Sequence, residues 1–203
     1  MDEPDYLAPL LAALRDLLAW LRAAKVSGVV IGGVAAGLLG RPRVTRDVDA
    51  VILIPDEKRA KVFLDQGALF RFAARIKDPL AFAAQSRVLL VNHQPSGIDV
   101  DLSLGQLPFE EEMIARSVAV DVSGLSIPLP TPEDFIIMKA IAHRPRDMAD
   151  IEAVLDVHPK LDLRRVRRWV RDFAAILEMP ELLEDLEVLL ARRPPAKKGK
   201  KKK

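Results

Sequence analysis

Asp47 and Asp49 form a D-x-D pair at the head of an apolar run, Ala50-Val51-Ile52-Leu53-Ile54. Such a run reads as a buried strand, and strand side chains alternate, so the two carboxylates share one side. Like charges so placed need a cation between them. Oxygen-only donors suit Mg²⁺, which completes its shell with water and substrate phosphates. Upstream, across the spacer Val34 to Arg46, lies the pair Gly32-Gly33. Lacking a Cβ, these residues let backbone N–H groups lie against a bulky anion. A phosphate cradle beside a hard-metal site points to phosphoryl or nucleotidyl transfer. The chain has no G-x-x-x-x-G-K-[ST] run, so the chemistry is not that of a P-loop.

Other residues can join this chemistry. Asp99 and Asp101 repeat the D-x-D spacing on a second predicted strand, Ile98 to Leu104. A sheet core cannot hold two bare carboxylates, so one or both face solvent or a metal. Arg43 and Arg46 either contact phosphate or stay solvated, and Thr45 can cap or hydrogen-bond the loop between them. Lys139 interrupts an apolar helix; it either snorkels at a core edge or presents a cation to a triphosphate. His93, alone between a strand and a turn, reads as incidental.

The elements that must position these groups follow from pattern. Tyr6 to Ala24 carries leucines at helical spacing, a stripe suited to packing on a sheet. Gly28 to Ile31 is a short β-branched strand entering the glycine pair. Val34 to Leu39 is a short helix whose first N–H groups favour an anion. Asp56 and Glu57 start a helix that Gly67 ends. Ala68 to Ile76 alternates poorly and reads as a short helix, and Asp78-Pro79 opens another through Ala84. Arg87 to Asn92 and Ile98 to Leu104 are antiparallel strands about Gln94-Pro95-Ser96-Gly97. A helix over Phe109 to Ser117 and a hairpin about Ser123-Gly124 follow. Thr131-Pro132 opens a helix over Phe135 to Ala142. Leu161 to Leu177 is amphipathic, with Arg164, Arg167, Arg168 and Arg171 on its polar side, either a solvated face or a strip for RNA phosphates. Pro180 to Leu190 is a last helix before Pro194-Pro195.

The Gly32-Gly33, spacer and Asp47-Val48-Asp49 series, with a strand before and after, resembles the signature of the DNA polymerase β-type nucleotidyltransferase superfamily. Arg43 and Thr45, in R-x-T-x-D-x-D, resemble its AbiEii/MenT-like branch, many of whose members are toxins of toxin–antitoxin pairs. Pro132 to Asp150, read as P-E-D-(apolar)3-M-K-A-x-A-x-R-x-R-D-x-x-D, is similar to that branch's second hallmark. The resemblance covers roughly residues 26–157. It implies a third metal-binding carboxylate, Asp101, with Asp99 as the alternative, and a Lys139 that faces the active site. Asp147 and Asp150 come with the same hallmark; they either serve the chemistry or cap the next helix and pair with Arg144 and Arg146.

The resemblance further implies an α+β fold, a nucleotidyltransferase-type mixed β-sheet flanked by helices. Its parts are a catalytic core over residues 1–130, a C-terminal helical part over 131–192 and a tail over 193–203. The implied reaction moves a nucleoside monophosphate from an NTP, such as ATP, to an acceptor hydroxyl. Two Mg²⁺ ions would be held by Asp47, Asp49 and Asp101. Gly32, Gly33, Arg43, Thr45, Arg46 and Lys139 would bind the nucleotide. RNA, tRNA in particular, is the acceptor and an antitoxin the partner if the chain is a toxin. A small-molecule acceptor of the antibiotic-modifying kind, or a catalytically silent member of a toxin–antitoxin pair, are the alternatives.

Composition agrees with a soluble cytoplasmic protein. The 203 residues contain no cysteine, which excludes thiol chemistry and Cys-zinc sites. The start, Met1-Asp2-Glu3-Pro4-Asp5, is acidic and unlike a signal peptide. The longest uncharged apolar stretch, Val26 to Gly40, holds five glycines and falls short of the ~20 residues a membrane helix needs. The net charge of +2 turns negative without the six lysines between Lys197 and Lys203. That run reads as disordered, because like charges repel and nothing in it can be buried.

Overall fold

The computed structural model describes residues 7–192, which form two units: residues 7–35 with 43–131, and residues 36–42 with 132–192. The acidic start and the lysine-rich tail lie outside the described residues, as do Tyr6 and Pro194-Pro195. Among the described residues no helix is long and apolar enough to cross a membrane.

The first unit is built on a five-stranded mixed sheet in the order β1-β2-β5-β4-β3. Its strands are β1 (Gly28–Ile31), β2 (Asp47–Ile52), β3 (Phe72–Ala74), β4 (Val88–His93) and β5 (Ile98–Leu104). β2 and β5 pair in parallel, while β1 with β2, β4 with β5 and β3 with β4 are antiparallel. Alternation along the strands separates two faces. Val48, Ala50, Leu89, Val91, Val100 and Leu102 are buried on one. Asp47, Asp49, Leu90, Asn92, Asp99 and Asp101 lie on the other, half-buried or exposed.

The buried face is covered by α1 (Ala8–Ala24), whose Leu14, Leu17 and Trp20 are buried. α3 (Glu57–Gln66), α4 (Pro79–Ser86) and α5 (Pro108–Ala115) complete the unit, together with a separate hairpin of β6 (Val118–Val122) and β7 (Leu125–Leu129). Asp56 caps α3 by accepting from the Arg59 N–H at 2.7 Å, as its place before the acidic first turn predicts.

Two expectations change here. Ala68 to Ile76 is not a helix: a 3-10 turn, Gly67–Phe70, leads into β3. Phe72 is buried and stacked at 5.2 Å on Trp20, and the edge of β4 supplies a hydrogen-bonded partner, so tertiary pairing overrides a sequence without alternation. His93 is not incidental to the fold. It lies fully buried, its Nε2 donating to Asp16 Oδ2 at 2.6 Å and its Nδ1 sharing a hydrogen bond of 2.6 Å with Ser96 Oγ. Arg71 closes the network on Asp16 at 2.7 Å. Asp16→Ala strips a buried ring N–H of its acceptor. We expect it to lower the unfolding free energy by about 1–3 kcal/mol in urea denaturation; an unchanged midpoint would show the network to be dispensable.

The second unit consists of α6 (Pro132–Ala142), α7 (Pro145–Val157), α8 (Leu163–Leu177), α9 (Glu181–Arg192) and residues 36–42, the last part of α2 (Gly32–Leu39) and its exit. Phe135, Ile136, Ile137 and Ala140 of α6 form its centre with Ile151, Val154, Val166 and Val170. Asp134, fully buried, accepts from Arg165 Nε at 2.8 Å. Arg167, one of the four arginines read as a basic strip, is held by Glu187 of α9 at 2.6 Å. The exit of α2 is tied by Arg41 to Asp156 at 2.7 Å and by His158 Nε2, which donates to Leu39 O at 2.8 Å.

Candidate active site

The parallel register of β2 and β5 sets Asp47 opposite Asp99 and Asp49 opposite Asp101. Two identical Asp-Val-Asp segments thus lie side by side, their valines buried and their four carboxylates on the open face. Thr45 donates to Asp47 Oδ1 at 2.6 Å, so the hydroxyl orients the first acid of the pair.

Gly32 follows the adjoining β1 directly and opens α2 with φ +61°, a conformation that favours glycine. A Cβ there would come within 2.6 Å of Asp49 Cγ, so the carboxylate leans directly on the glycine. A Cβ at Gly33 would stand 2.8 Å from Thr45 Cβ and 3.5 Å from Arg43 Nη2. The glycine pair therefore lets the D-x-D loop close down on a helix start whose first N–H groups have no intrahelical acceptor. Arg46 is exposed beside it.

Asp99 and Asp101 are engaged by two residues that sequence reasoning missed. Asn92, opposite Asp99 on β4, donates from Nδ2 to Asp99 Oδ1 at 2.8 Å. Arg75, just past β3, reaches Asp99 Oδ2 with Nη1 at 2.9 Å and Asp101 Oδ1 with Nη2. The signal for Arg75 lay in reading Phe72-Ala73-Ala74 as an edge strand, which would have carried the arginine to this face.

The two acids are driven apart in pKa. The Asn92 hydrogen bond, assisted by Arg75, holds the Asp99 carboxyl below its usual range. Burial lifts Asp101 above its ordinary 3.8; Arg75 opposes the rise and the charges of Asp47 and Asp99 add to it. A carboxylate whose folded pKa is raised penalises the fold. The penalty is absent below the unfolded value, grows as pH rises past it and is complete above the folded value. In EDTA, Asp101→Asn should therefore raise the thermal midpoint by no more than a few degrees at pH 7–8, and the gain should vanish below about pH 4. A loss of stability at neutral pH would contradict this account.

Lys139, Asp147 and Asp150 belong to the second unit, and the structure brings them to one another. Lys139 Nζ lies 2.7 Å from Asp147 Oδ1 and 2.9 Å from Asp150 Oδ2, and 5.5 Å above the Phe135 ring. Asp147 also accepts from the Arg144 N–H at 3.3 Å, closing the first turn of α7. The lysine and both acids of the second hallmark form one buried ion-pair cluster there.

The donor chemistry on the sheet suits a hard cation: carboxylate oxygens from Asp47, Asp49 and Asp101, with no sulfur or imidazole among them. Among the described residues no three acidic or histidine side chains already converge in a metal-holding array. Asp101 has Arg75 as its counter-charge, and Asp49 lies against Gly32.

A family model described as "Nucleotidyl transferase of unknown function (DUF2204)" matches residues 10–187. No curated protein sequence matches. Among solved structures, an antigenic nucleotidyltransferase-like protein from Paracoccidioides brasiliensis is 18% identical, with a TM-score of 0.55 over 89% of this chain and 93% of that one. The lincosamide antibiotic adenylyltransferase LnuA, bound to lincomycin, gives 14% identity and 0.50 over 71% and 96%. The antibiotic-resistance factor ANT(2'')-Ia gives 12% and 0.51 over 88% and 97%. At these identities the likeness is one of fold, and that fold is the nucleotidyltransferase type.

Proposed function

The chain belongs to the DUF2204 family of nucleotidyl transferases, and on that premise we propose that it transfers a nucleoside monophosphate from an NTP to an acceptor hydroxyl with Mg²⁺. The observation that carries this reading is the register of the two Asp-Val-Asp segments, which gathers Asp47, Asp49 and Asp101 on one open face beside the glycine turn. Asp47, Asp49 and Asp101 are the residues that would hold Mg²⁺. When bound, the metal supplies Lewis-acid polarisation of the phosphate and lowers the pKa of the attacking hydroxyl.

The chain's own groups then have distinct tasks. The first-turn N–H groups at Gly32 and Gly33 donate to phosphate oxygens. Arg43 and Arg46 add positive charge along the triphosphate. Thr45 keeps Asp47 turned toward the site. Asp101, a carboxylate on the same open face as Asp47 and Asp49, would take the proton of the acceptor hydroxyl as it attacks the α-phosphorus and pyrophosphate leaves. The part Lys139 plays toward the nucleotide rests on the resemblance of its hallmark.

Two acceptor classes compete. An RNA acceptor, with the chain as the toxin of a toxin–antitoxin pair, is supported by the Arg43–Asp49 and Pro132–Asp150 hallmarks and by Arg164, Arg168 and Arg171 on α8. A small-molecule acceptor is supported by two neighbours of the same fold, the lincosamide antibiotic adenylyltransferase LnuA with lincomycin bound and the antibiotic-resistance factor ANT(2'')-Ia. Incubation of the purified chain with each α-labelled NTP, Mg²⁺, and either total tRNA or an antibiotic panel that includes lincosamides separates them. Label in RNA selects the first reading and label in the panel the second. No label in RNA, in the panel or in whole-cell lysate would defeat the enzymatic proposal and favour a silent interaction protein.

A further inference from the structure

β3 ends at Ala74, yet its ladder runs one residue further: the Arg75 N–H donates to Leu90 O at 3.0 Å. Leu90 is the register partner of Asp101, and Asp101 that of Asp49. Arg75, Leu90, Asp101 and Asp49 therefore make one row across the sheet, and side chains of one row emerge on the same face. The guanidinium passes over half-buried Leu90 to span Asp99 and Asp101, and remains one-quarter exposed. Other arginines of this unit tie element ends together: Arg71 holds Asp16, and Arg87 holds Leu104 O and Glu110. Arg75 differs. It carries a permanent positive charge to a strand that β2 and β4 already hold from both sides. Its effect is on charge, because it offsets repulsion among Asp47, Asp99 and Asp101.

We infer that Arg75 is a built-in counter-ion that competes with the divalent cation for Asp101. The inference rests on the proposed nucleotidyl-transfer reading. A guanidinium and a metal ion are rival charges for one carboxylate: Arg75 engages Asp101 Oδ1, so a cation arriving at either oxygen meets a charge already offset and is set beside a second positive charge. Capture of metal at Asp101 is thus strengthened when Arg75 withdraws, and phosphate oxygens of an incoming nucleotide are bidentate partners of the kind an arginine favours. Metal and nucleotide then assist each other's binding, and the assistance is reciprocal. Arg75 is a positioning residue, acting through the state of Asp101.

The test is titration of the full chain with Mn²⁺ alone, read by electron paramagnetic resonance, for wild type, Arg75→Gln, Arg75→Lys and Asp101→Asn. Arg75→Gln is expected to bind Mn²⁺ about two- to fivefold more tightly, the size expected on removing ion pairs of this exposure. Arg75→Lys, whose ammonium cannot span both carboxylates, should fall between; it carries the test by the same sign if the glutamine variant does not fold. Equal affinity overturns the inference. So does weaker binding, which for a partner that orients a metal ligand amounts to about 10–100-fold. Loss of binding in Asp101→Asn, with wild type binding, keeps the metal reading whichever way Arg75 falls. If neither wild type nor Arg75→Gln binds Mn²⁺, both the metal reading and the inference fail.

Discussion

Asp49→Asn is expected to cut nucleotide transfer by about 10³-fold, the rate equivalent of ~4 kcal/mol of lost charge stabilisation. The substitution keeps the shape that rests against Gly32 and the register with Ile31 and Asp101, while removing the charge. Its melting curve should therefore stay close to that of wild type, and the loss should appear in kcat. An asparagine variant working within tenfold of wild type would mean that Asp49 is a packing partner of the glycine turn and nothing more. Asp47→Asn should behave alike, with Thr45 left facing an amide in place of a carboxylate.

Lys139→Met carries the largest expected effect on stability. The ammonium sits between Asp147, 2% exposed, and Asp150, 12% exposed. Removing it leaves the buried Asp147 with only the exposed Arg144, whose Nε stands 3.7 Å away, and costs up to about 3–5 kcal/mol. In thermal and urea melts the single variant should fall well below wild type, and adding Asp147→Asn should restore a large part of the loss, because the second change removes the stranded charge. If Lys139→Met instead melts like wild type while transfer collapses, the ion-pair cluster is not what holds the second unit together, and the lysine's work is chemical.

How far the sequence foretold this molecule depends on whether a feature is local or distant. The Asp47-Val48-Asp49 pair, the glycine turn and the hairpin between β4 and β5 are local, and alternation with turn chemistry made them readable. Asp99 and Asp101 stood out by their spacing, but Asp101 could be preferred as the third ligand only through the resemblance. Its standing opposite Asp49 follows from a parallel pairing between segments some fifty residues apart, which no short window contains. Arg75 was missed for a related reason. A three-residue edge strand with one buried side chain carries no period, and its identity as a strand comes from β4. The pairs Asp16–His93, Asp134–Arg165 and Arg167–Glu187 likewise join residues whose spacing says nothing of contact.

The twin Asp-Val-Asp segments have a further consequence, for the fidelity of folding. Side chains repeat every second residue, so a slip of β5 by one position would turn Asp99 and Asp101 inward, among Leu89, Val91 and the α1 leucines. Two ionised groups dragged into hydrocarbon cost far more than any misaligned ladder could recover. The acids proposed for chemistry thus also act as a vernier for assembly, rejecting the off-by-one alignment before the enzyme exists. Neutralising both at once, as Asp99→Asn with Asp101→Asn, would relax that rejection and leave the burial of Val100 and Leu102 alone to hold the phase of the strand.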